Sequence, residues 1–176
     1  MKALELVFIP TPGRGHQVSM VKFSKLLVTR DDRFLITVLI TRFPFDNKLD
    51  AYTDSLAAST ASDRIKFVDL SKDDIGIYET NPLIFMDLFS EYYKSHFKKI
   101  AIDLAHKSST LSPDSPRLAG FVVDMLMTTM IDVANELKVS LGNRRFLRLD
   151  RLRKKLERIL VKEKNLYYHL NYFSFA

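Results

Sequence analysis

LELVFIPTPGRGHQVSMVKFSKLL, residues 4–27, is the stretch that decides the fold. Residues 4–10 are rich in β-formers and run into Pro10–Thr11–Pro12–Gly13, which reads as a short strand ending in a tight turn. Beyond the turn, apolar residues at 18, 20, 21, 23, 26 and 27 follow helical spacing, so 18–30 reads as an amphipathic helix. A buried strand, a glycine turn and a helix form the opening unit of a βαβ fold. The turn also delivers a histidine, His16, to the mouth of that helix.

Working outward, the same grammar repeats. RFLITVLIT (33–41) is a nearly continuous apolar run with β-branched residues, as a parallel strand covered on both faces requires. Residues 46–59 hold a short helix, and RIKFVDL (64–70) reads as a third strand. Residues 81–107 predict a long helix, with Asn81 as N-cap and Pro82 at the first helical position, where a missing N–H costs nothing. A turn-rich loop (108–116) leads to the strand RLAGFVVD (117–124), and 128–137 begins a further helix. Strands alternating with helices predict an α/β fold, a Rossmann-like parallel sheet with flanking helices.

Charge marks a boundary. Residues 138–164 carry 11 Lys/Arg against 3 Asp/Glu, whereas 1–137 hold 16 basic and 18 acidic groups. The chain's net +6 is therefore a property of its tail. The expected organisation is an α/β domain over 1–137 and a divergent segment over 138–176. In that segment Leu149, Leu152, Leu156 and Ile159 recur between basic residues as a basic amphipathic helix, with no further strand expected. Such a tail invites a reading as a nucleic-acid or anionic-membrane contact. Its aromatics stand only at the end, not interleaved with the cations as a base-stacking platform needs, so a solvated or frame-shifted segment is the preferred reading and no specific nucleic acid is expected. The chain has no cysteine, no uninterrupted apolar stretch of membrane-spanning length and no signal-peptide cleavage pattern. A cytoplasmic protein without a membrane span is the expectation.

In an open parallel sheet, ligands bind beyond the carboxyl ends of the strands. His16 lies just past the first strand and Asp124 ends the strand 117–124. A histidine whose ring is held by a buried aspartate is a general-base arrangement, because the carboxylate sets the tautomer and stabilises the imidazolium that forms. Each residue also has a plainer reading: His16 as a cap or surface residue at a helix start, Asp124 as the N-cap of the next helix. Gly13-x-Gly15 opens like a dinucleotide fingerprint, but Val18 stands at the third glycine position and Thr41–Arg42, not an acid, close the second strand. A nicotinamide cofactor is thereby disfavoured, and neither a Walker phosphate loop nor a His-Glu-x-x-His zinc motif occurs. The two glycines suggest a turn that lets substrate approach the backbone.

Taken together, ELVFIPTPGRGHQVSMVKFSKLL, ITVLITRFPFD, DRIKFVDL and LAGFVVDMLMTTMIDVANEL resemble the N-terminal half of plant UDP-dependent glycosyltransferases acting on small lipophilic metabolites, over about residues 4–137. The resemblance implies a GT-B fold, two Rossmann-like domains facing each other across a cleft, of which the N-terminal one binds the acceptor and the C-terminal one the nucleotide sugar. It implies His16 as the catalytic base on the acceptor hydroxyl and Asp124 as its hydrogen-bonding partner. Attack on the anomeric carbon would proceed with inversion, with a UDP-sugar, UDP-glucose by expectation, as co-substrate and no metal or other cofactor. Gly13 and Gly15 would bring backbone to the substrates, and Phe85, Met86 and Phe89 would help line the acceptor pocket, although ordinary core is the plainer reading of those three. The sequence departs from the family after Leu137, and it contains no tryptophan, with which the family's nucleotide-sugar signature begins. The expectation is a truncated chain, joined to its tail by a frame change, a retained intron or a misplaced gene end. It would bind UDP-sugar only if a second domain is supplied, be inactive alone, and self-associate through an exposed sheet edge. The competing reading is a non-catalytic module that binds a small ligand or a protein partner, its tail contacting anionic surfaces.

Overall fold

The structure, a computed structural model, describes residues 3–43, 46–70, 82–110, 116–140, 154, 156, 158–159 and 173–175. β1 (Leu4–Ile9), β2 (Phe34–Ile40), β3 (Ile65–Asp69) and β4 (Arg117–Asp124) form a parallel sheet, and β5 (Phe173–Phe175) joins it antiparallel. The strand order is β3-β2-β1-β4-β5. From β1 the chain steps outward to β2 and β3, then returns to the other side of β1 as β4. The sheet thus reverses direction between β1 and β4, and that switch point is where an open α/β sheet leaves a crevice.

Alternation along the strands builds two cores. Leu6 and Phe8 of β1 face one side with Ile36 and Val38 of β2, where α1 (Arg14–Arg30) contributes Met20, Phe23 and Leu27. Val7 and Ile9 face the other side with Leu39, Phe121 and Val123. That second face is covered by α3 (Pro82–Thr110) and α4 (Met130–Ser140). α3 presents Phe85, Phe89, Tyr93, Phe97, Ala101 and Ala105, one every fourth residue, so a single stripe of the helix lies against the sheet. α2 (Asn47–Ala58), which packs against α1, is started by Asp46, whose carboxylate accepts from the Leu49 N–H at 2.9 Å.

A β-bulge sets the level at which β4 arrives. The β1–β4 register shifts between Glu5, opposite Leu118, and Leu6, opposite Gly120, so Ala119 is the additional residue. Gly120 takes φ +154°, a conformation side chains disfavour and glycine tolerates. Beyond the bulge Ile9 faces Val123, which brings Asp124 level with the start of the turn after β1.

The structure modifies the sequence reading at four places. α1 begins at Arg14 rather than at residue 18, since Gly13 at φ +146° makes the sharp corner and the residues after it are already helical. Gly15, a poor helix former, hides that first turn in the sequence. α3 continues to Thr110, taking the first residues of the expected loop, and α4 runs through Ser140, past the charge boundary at Leu137. The Asn81 cap, Leu149 and Leu152 lie outside the described residues. In the tail, Lys154, Leu156, Arg158 and Ile159 are helical, with Leu156 buried against the α1-side core and Ile159 packed beside it, as an amphipathic helix requires. The last correction is β5, a strand where none was expected. It pairs with Val122–Asp124, and local pattern could not announce it because its partners lie about fifty residues away.

Candidate functional site

Two polar side chains meet at the switch point. His16 stands in the first turn of α1 and Asp124 at the last position of β4, and His16 Nδ1 lies 2.8 Å from Asp124 Oδ2. Their backbones are neighbours because β1 and β4 are adjacent and the turn after β1 is short. The carboxylate is 1% exposed, while the imidazole keeps 37% of its surface open. A carboxylate only accepts, so Nδ1 carries the hydrogen and Nε2 is left with its lone pair. The hydrogen bond to Asp124 raises the His16 pKa above 6.5, partial burial opposes that shift, and the negative charge of Asp124 adds to it. The result is a fixed tautomer and a strengthened base with one face toward solvent.

Asp124 does more than hold the histidine. Its Oδ1 accepts from the Thr11 hydroxyl at 2.9 Å and from the Leu126 N–H at 3.3 Å. The second bond starts the 3-10 turn Met125–Met127, so Asp124 caps that turn, not the expected helix, through one oxygen while the other contacts His16.

The glycines sit beside the ring. Gly13 caps α1 without a side chain, its carbonyl accepting from the Gln17 N–H at 2.9 Å. A Cβ on Gly13 would lie 3.4 Å from His16 Cδ2, and its positive φ disfavours any side chain there, so the corner that aims His16 depends on glycine. Around Gly15 there is nothing within 4 Å of an added Cβ.

Phe85 and Phe89 lie under this edge. Phe89 has zero exposure, with ring centroids of Phe43 at 5.1 Å and Tyr93 at 4.8 Å, and Phe85 is 9% exposed at 5.7 Å from Phe43. Met86 follows Phe85 on α3, and its side chain is outside the described residues.

Several supporting contacts escaped the sequence reading. Gln17 on α1 and Thr53 on α2 are both buried and joined at 2.8 Å, and the Arg14 guanidinium lies 5.0 Å from the Tyr52 ring centroid. These contacts dock α2 against the turn that carries His16. Arg42, just past β2, donates to Asp69 at 2.8 Å and to Asp54 at 2.6 Å, with Asp50 beside it at 3.7 Å. Only 11% of its side chain is exposed, and its pKa is raised chiefly by the hydrogen bond to Asp69 and further by Asp54, against the opposing effect of burial, so this cation at the site's edge is already neutralised by the scaffold. The spacing of Asp50 and Asp54 on one face of α2 is the signal that could have revealed the clamp. Tyr93 adds to it, its hydroxyl donating to the Arg42 carbonyl at 3.1 Å.

A separate cavity of about 460 Å³ lies toward the amino ends of the strands, lined in part by Glu5, Thr37, Lys66, Asp103 and Lys107. It is remote from His16. Among the described residues no three His, Asp or Glu side chains gather as a metal site, and no helix is long and apolar enough to cross a membrane.

An α/β domain of Rossmann type with a histidine and a buried aspartate joined at its switch point is the class defined by fold and site. No protein-family profile matches the chain. UDP-glucose flavonoid 3-O-glucosyltransferase 6 of Fragaria ananassa is 45% identical over 139 residues, covering 77% of this chain and 27% of that protein. The structure of Medicago truncatula UGT71G1 complexed with UDP-glucose matches at TM-score 0.58 and 31% identity, over 76% of this chain and 27% of that one. The structure of Phytolacca americana UGT2 complexed with UDP-2fluoro-glucose and pterostilbene matches at TM-score 0.64 and 22% identity, over 78% of this chain and 29% of that one, and supports the fold alone. The chain belongs to the plant UDP-glycosyltransferase family. It spans less than a third of the length of the curated relatives it matches.

Proposed function

We propose that this chain supplies the acceptor side of a glycosyl transfer, holding a small lipophilic metabolite beyond the carboxyl ends of β1 and β4 while His16 takes the proton from its hydroxyl. The observation that carries this reading is the 2.8 Å contact committing His16 Nδ1 to buried Asp124, which leaves Nε2 as the basic atom facing outward. The acceptor oxygen forms a bond to the anomeric carbon of a UDP-sugar as the bond from that carbon to the phosphate oxygen breaks. UDP leaves with the bonding electrons, the configuration inverts, and the acceptor proton stays on Nε2 until solvent removes it. Asp124 lowers the barrier by stabilising the imidazolium formed in that step. Glucose is the proposed sugar, a choice supported by the likeness to a UDP-glucose flavonoid glucosyltransferase.

In this reading residues 1–137 are the acceptor-binding domain and 138–176 a divergent tail, and the UDP-sugar is held by a second domain. Gly13 and Gly15 let the substrates approach the backbone, for which the open space at Gly15 leaves room. Phe85 and Met86 shape the acceptor side, and Phe89 does so from within the core. The test is the His16 ring resonance on addition of a flavonol. A saturable shift is expected in the wild-type chain, and an unchanged ring environment at high flavonol counts against the reading.

The pH dependence has a definite sign. The base works deprotonated, and its pKa is raised by Asp124. When a donor-binding domain of a relative is added in trans with UDP-glucose and a flavonol acceptor, UDP release is expected to increase with pH through a midpoint above 6.5, and a midpoint below 6.5 would contradict the pairing.

Self-association belongs to the same proposal. Among the described residues β3 lies at one end of the sheet and β5 pairs with Val122–Asp124 of β4, which leaves strand edge that no described residue covers. Sedimentation is expected to show mass increasing with concentration, and a constant monomer mass would rule this out.

A further inference from the structure

We propose that Thr11 is a positioning residue for the His16–Asp124 pair, its hydroxyl holding the Asp124 carboxylate in the orientation that aims Oδ2 at the imidazole. The inference rests on the reading of that pair as a base and its partner. A carboxylate at a strand end can rotate about its last bond, and one good contact does not fix a plane. Here the two oxygens are divided between partners. Oδ2 faces His16 Nδ1 at 2.8 Å, and Oδ1 takes the Thr11 hydroxyl at 2.9 Å, with the Leu126 N–H farther away at 3.3 Å. Because an ionised carboxylate has no hydrogen to give, the Thr11 hydroxyl must be the donor. Without it Oδ1 keeps only the long contact, and the carboxylate is free to turn away from the ring.

Thr11 is built to hold that position. It is 2% exposed, so its hydroxyl meets Asp124 without competition from bulk water. It stands between Pro10 and Pro12. The following proline confines its backbone to extended conformations, and its branched Cβ stiffens χ1. Backbone and side chain are therefore both ordered before any ligand arrives, and the turn that presents His16 also carries the group that orients its partner. A hydroxyl that merely filled buried space would serve the fold without influencing the imidazole.

The experiment is an NMR titration of the ring protons of the full chain, with His16 identified among the four histidines by the resonance lost in His16→Gln. Besides Asp124, the charged group nearest along α1 is Arg14, stacked on Tyr52 and unchanged in every variant. Asp124→Asn is expected to lower the His16 midpoint. Thr11→Val, which keeps the shape and removes the donor, is expected to lower it by about half a pH unit or more, and Thr11→Ser to restore it. Should the valine variant fail to fold, Thr11→Ala compared with Thr11→Ser reads the hydroxyl alone. A midpoint unmoved in Thr11→Val and Thr11→Ala, while Asp124→Asn lowers it, overturns the role of Thr11 and leaves the pair intact. A midpoint unmoved in Asp124→Asn overturns the pair, and Thr11 then has nothing to position.

Discussion

Replacing Asp124 with alanine is expected to lower the unfolding free energy by about 3 kcal/mol, combining stranded donors with a lost cap. Three donors converge on this carboxylate: the Thr11 hydroxyl, the His16 ring and the Leu126 N–H. Thr11 is 2% exposed and cannot turn to water for a new acceptor, so its hydroxyl is left buried and unpaired. Asp124→Asn keeps the volume and one acceptor oxygen and should cost about 1 kcal/mol, the scale of a single net hydrogen bond. The charge it removes has its own signature. The raised pKa of His16 means that the folded chain binds the proton more tightly than the unfolded one. That contribution is fully present below pH 6.5 and is lost as pH rises through the folded-state value. The stability difference between wild type and Asp124→Asn should therefore be larger near pH 6 than near pH 8. Urea unfolding at the two pH values checks it, and a gap that widens toward pH 8 would show that the pair is not coupled through the proton.

Phe89→Ala is expected to cost about 3–5 kcal/mol, the range for emptying a large aromatic site in a packed core. Phe89 has zero exposure and touches three other rings, with centroids of Phe43 at 5.1 Å, Phe85 at 5.7 Å and Tyr93 at 4.8 Å. A hole there also loosens Tyr93, whose hydroxyl holds the Arg42 backbone at the end of β2. Domains are typically stable by only about 5–15 kcal/mol, so the variant should lose a large share of the chain's stability. Phe89→Leu, which retains most of the volume, should cost about 1–1.5 kcal/mol. Denaturant midpoints separate the two. If alanine cost no more than leucine, Phe89 would be behaving as a residue facing an open pocket, not as a core residue.

The same column shows how far pattern reading reaches. Helical spacing places Phe85 and Phe89 on one face of α3, but spacing is identical for a face turned to a core and a face turned to a ligand. Packing against Phe43 and the sheet distinguishes them, and Phe43 lies in the segment after β2, forty-six residues before Phe89. His16 and Asp124 were legible for another reason. Asp124 ends a strand and His16 follows one across a short turn, and parallel topology sends the carboxyl ends of the parallel strands to one edge. Thr11 and Gln17 were not, since their partners are chosen by which strands and helices become neighbours, and of the Arg42 clamp only the Asp50 and Asp54 spacing is local.

By itself the amino-acid sequence determined the α/β class, the order of β1–α1–β2–α2–β3–α3–β4, the base and its aspartate as candidates, and the likeness to plant UDP-dependent glycosyltransferases. These are local properties: periodicity, turn residues and short words of sequence are written in consecutive positions. Only the tertiary structure decided that β4 returns beside β1, that the bulge before Gly120 brings Asp124 level with the turn, and that Thr11 grips the far oxygen of the same carboxylate. It also decided that Phe173–Phe175 lies on β4. The physical reason is common to all four. Each depends on contacts between residues far apart in the chain, whose free energy comes from register, burial and hydrogen-bond geometry once the sheet has assembled, and no local propensity encodes those.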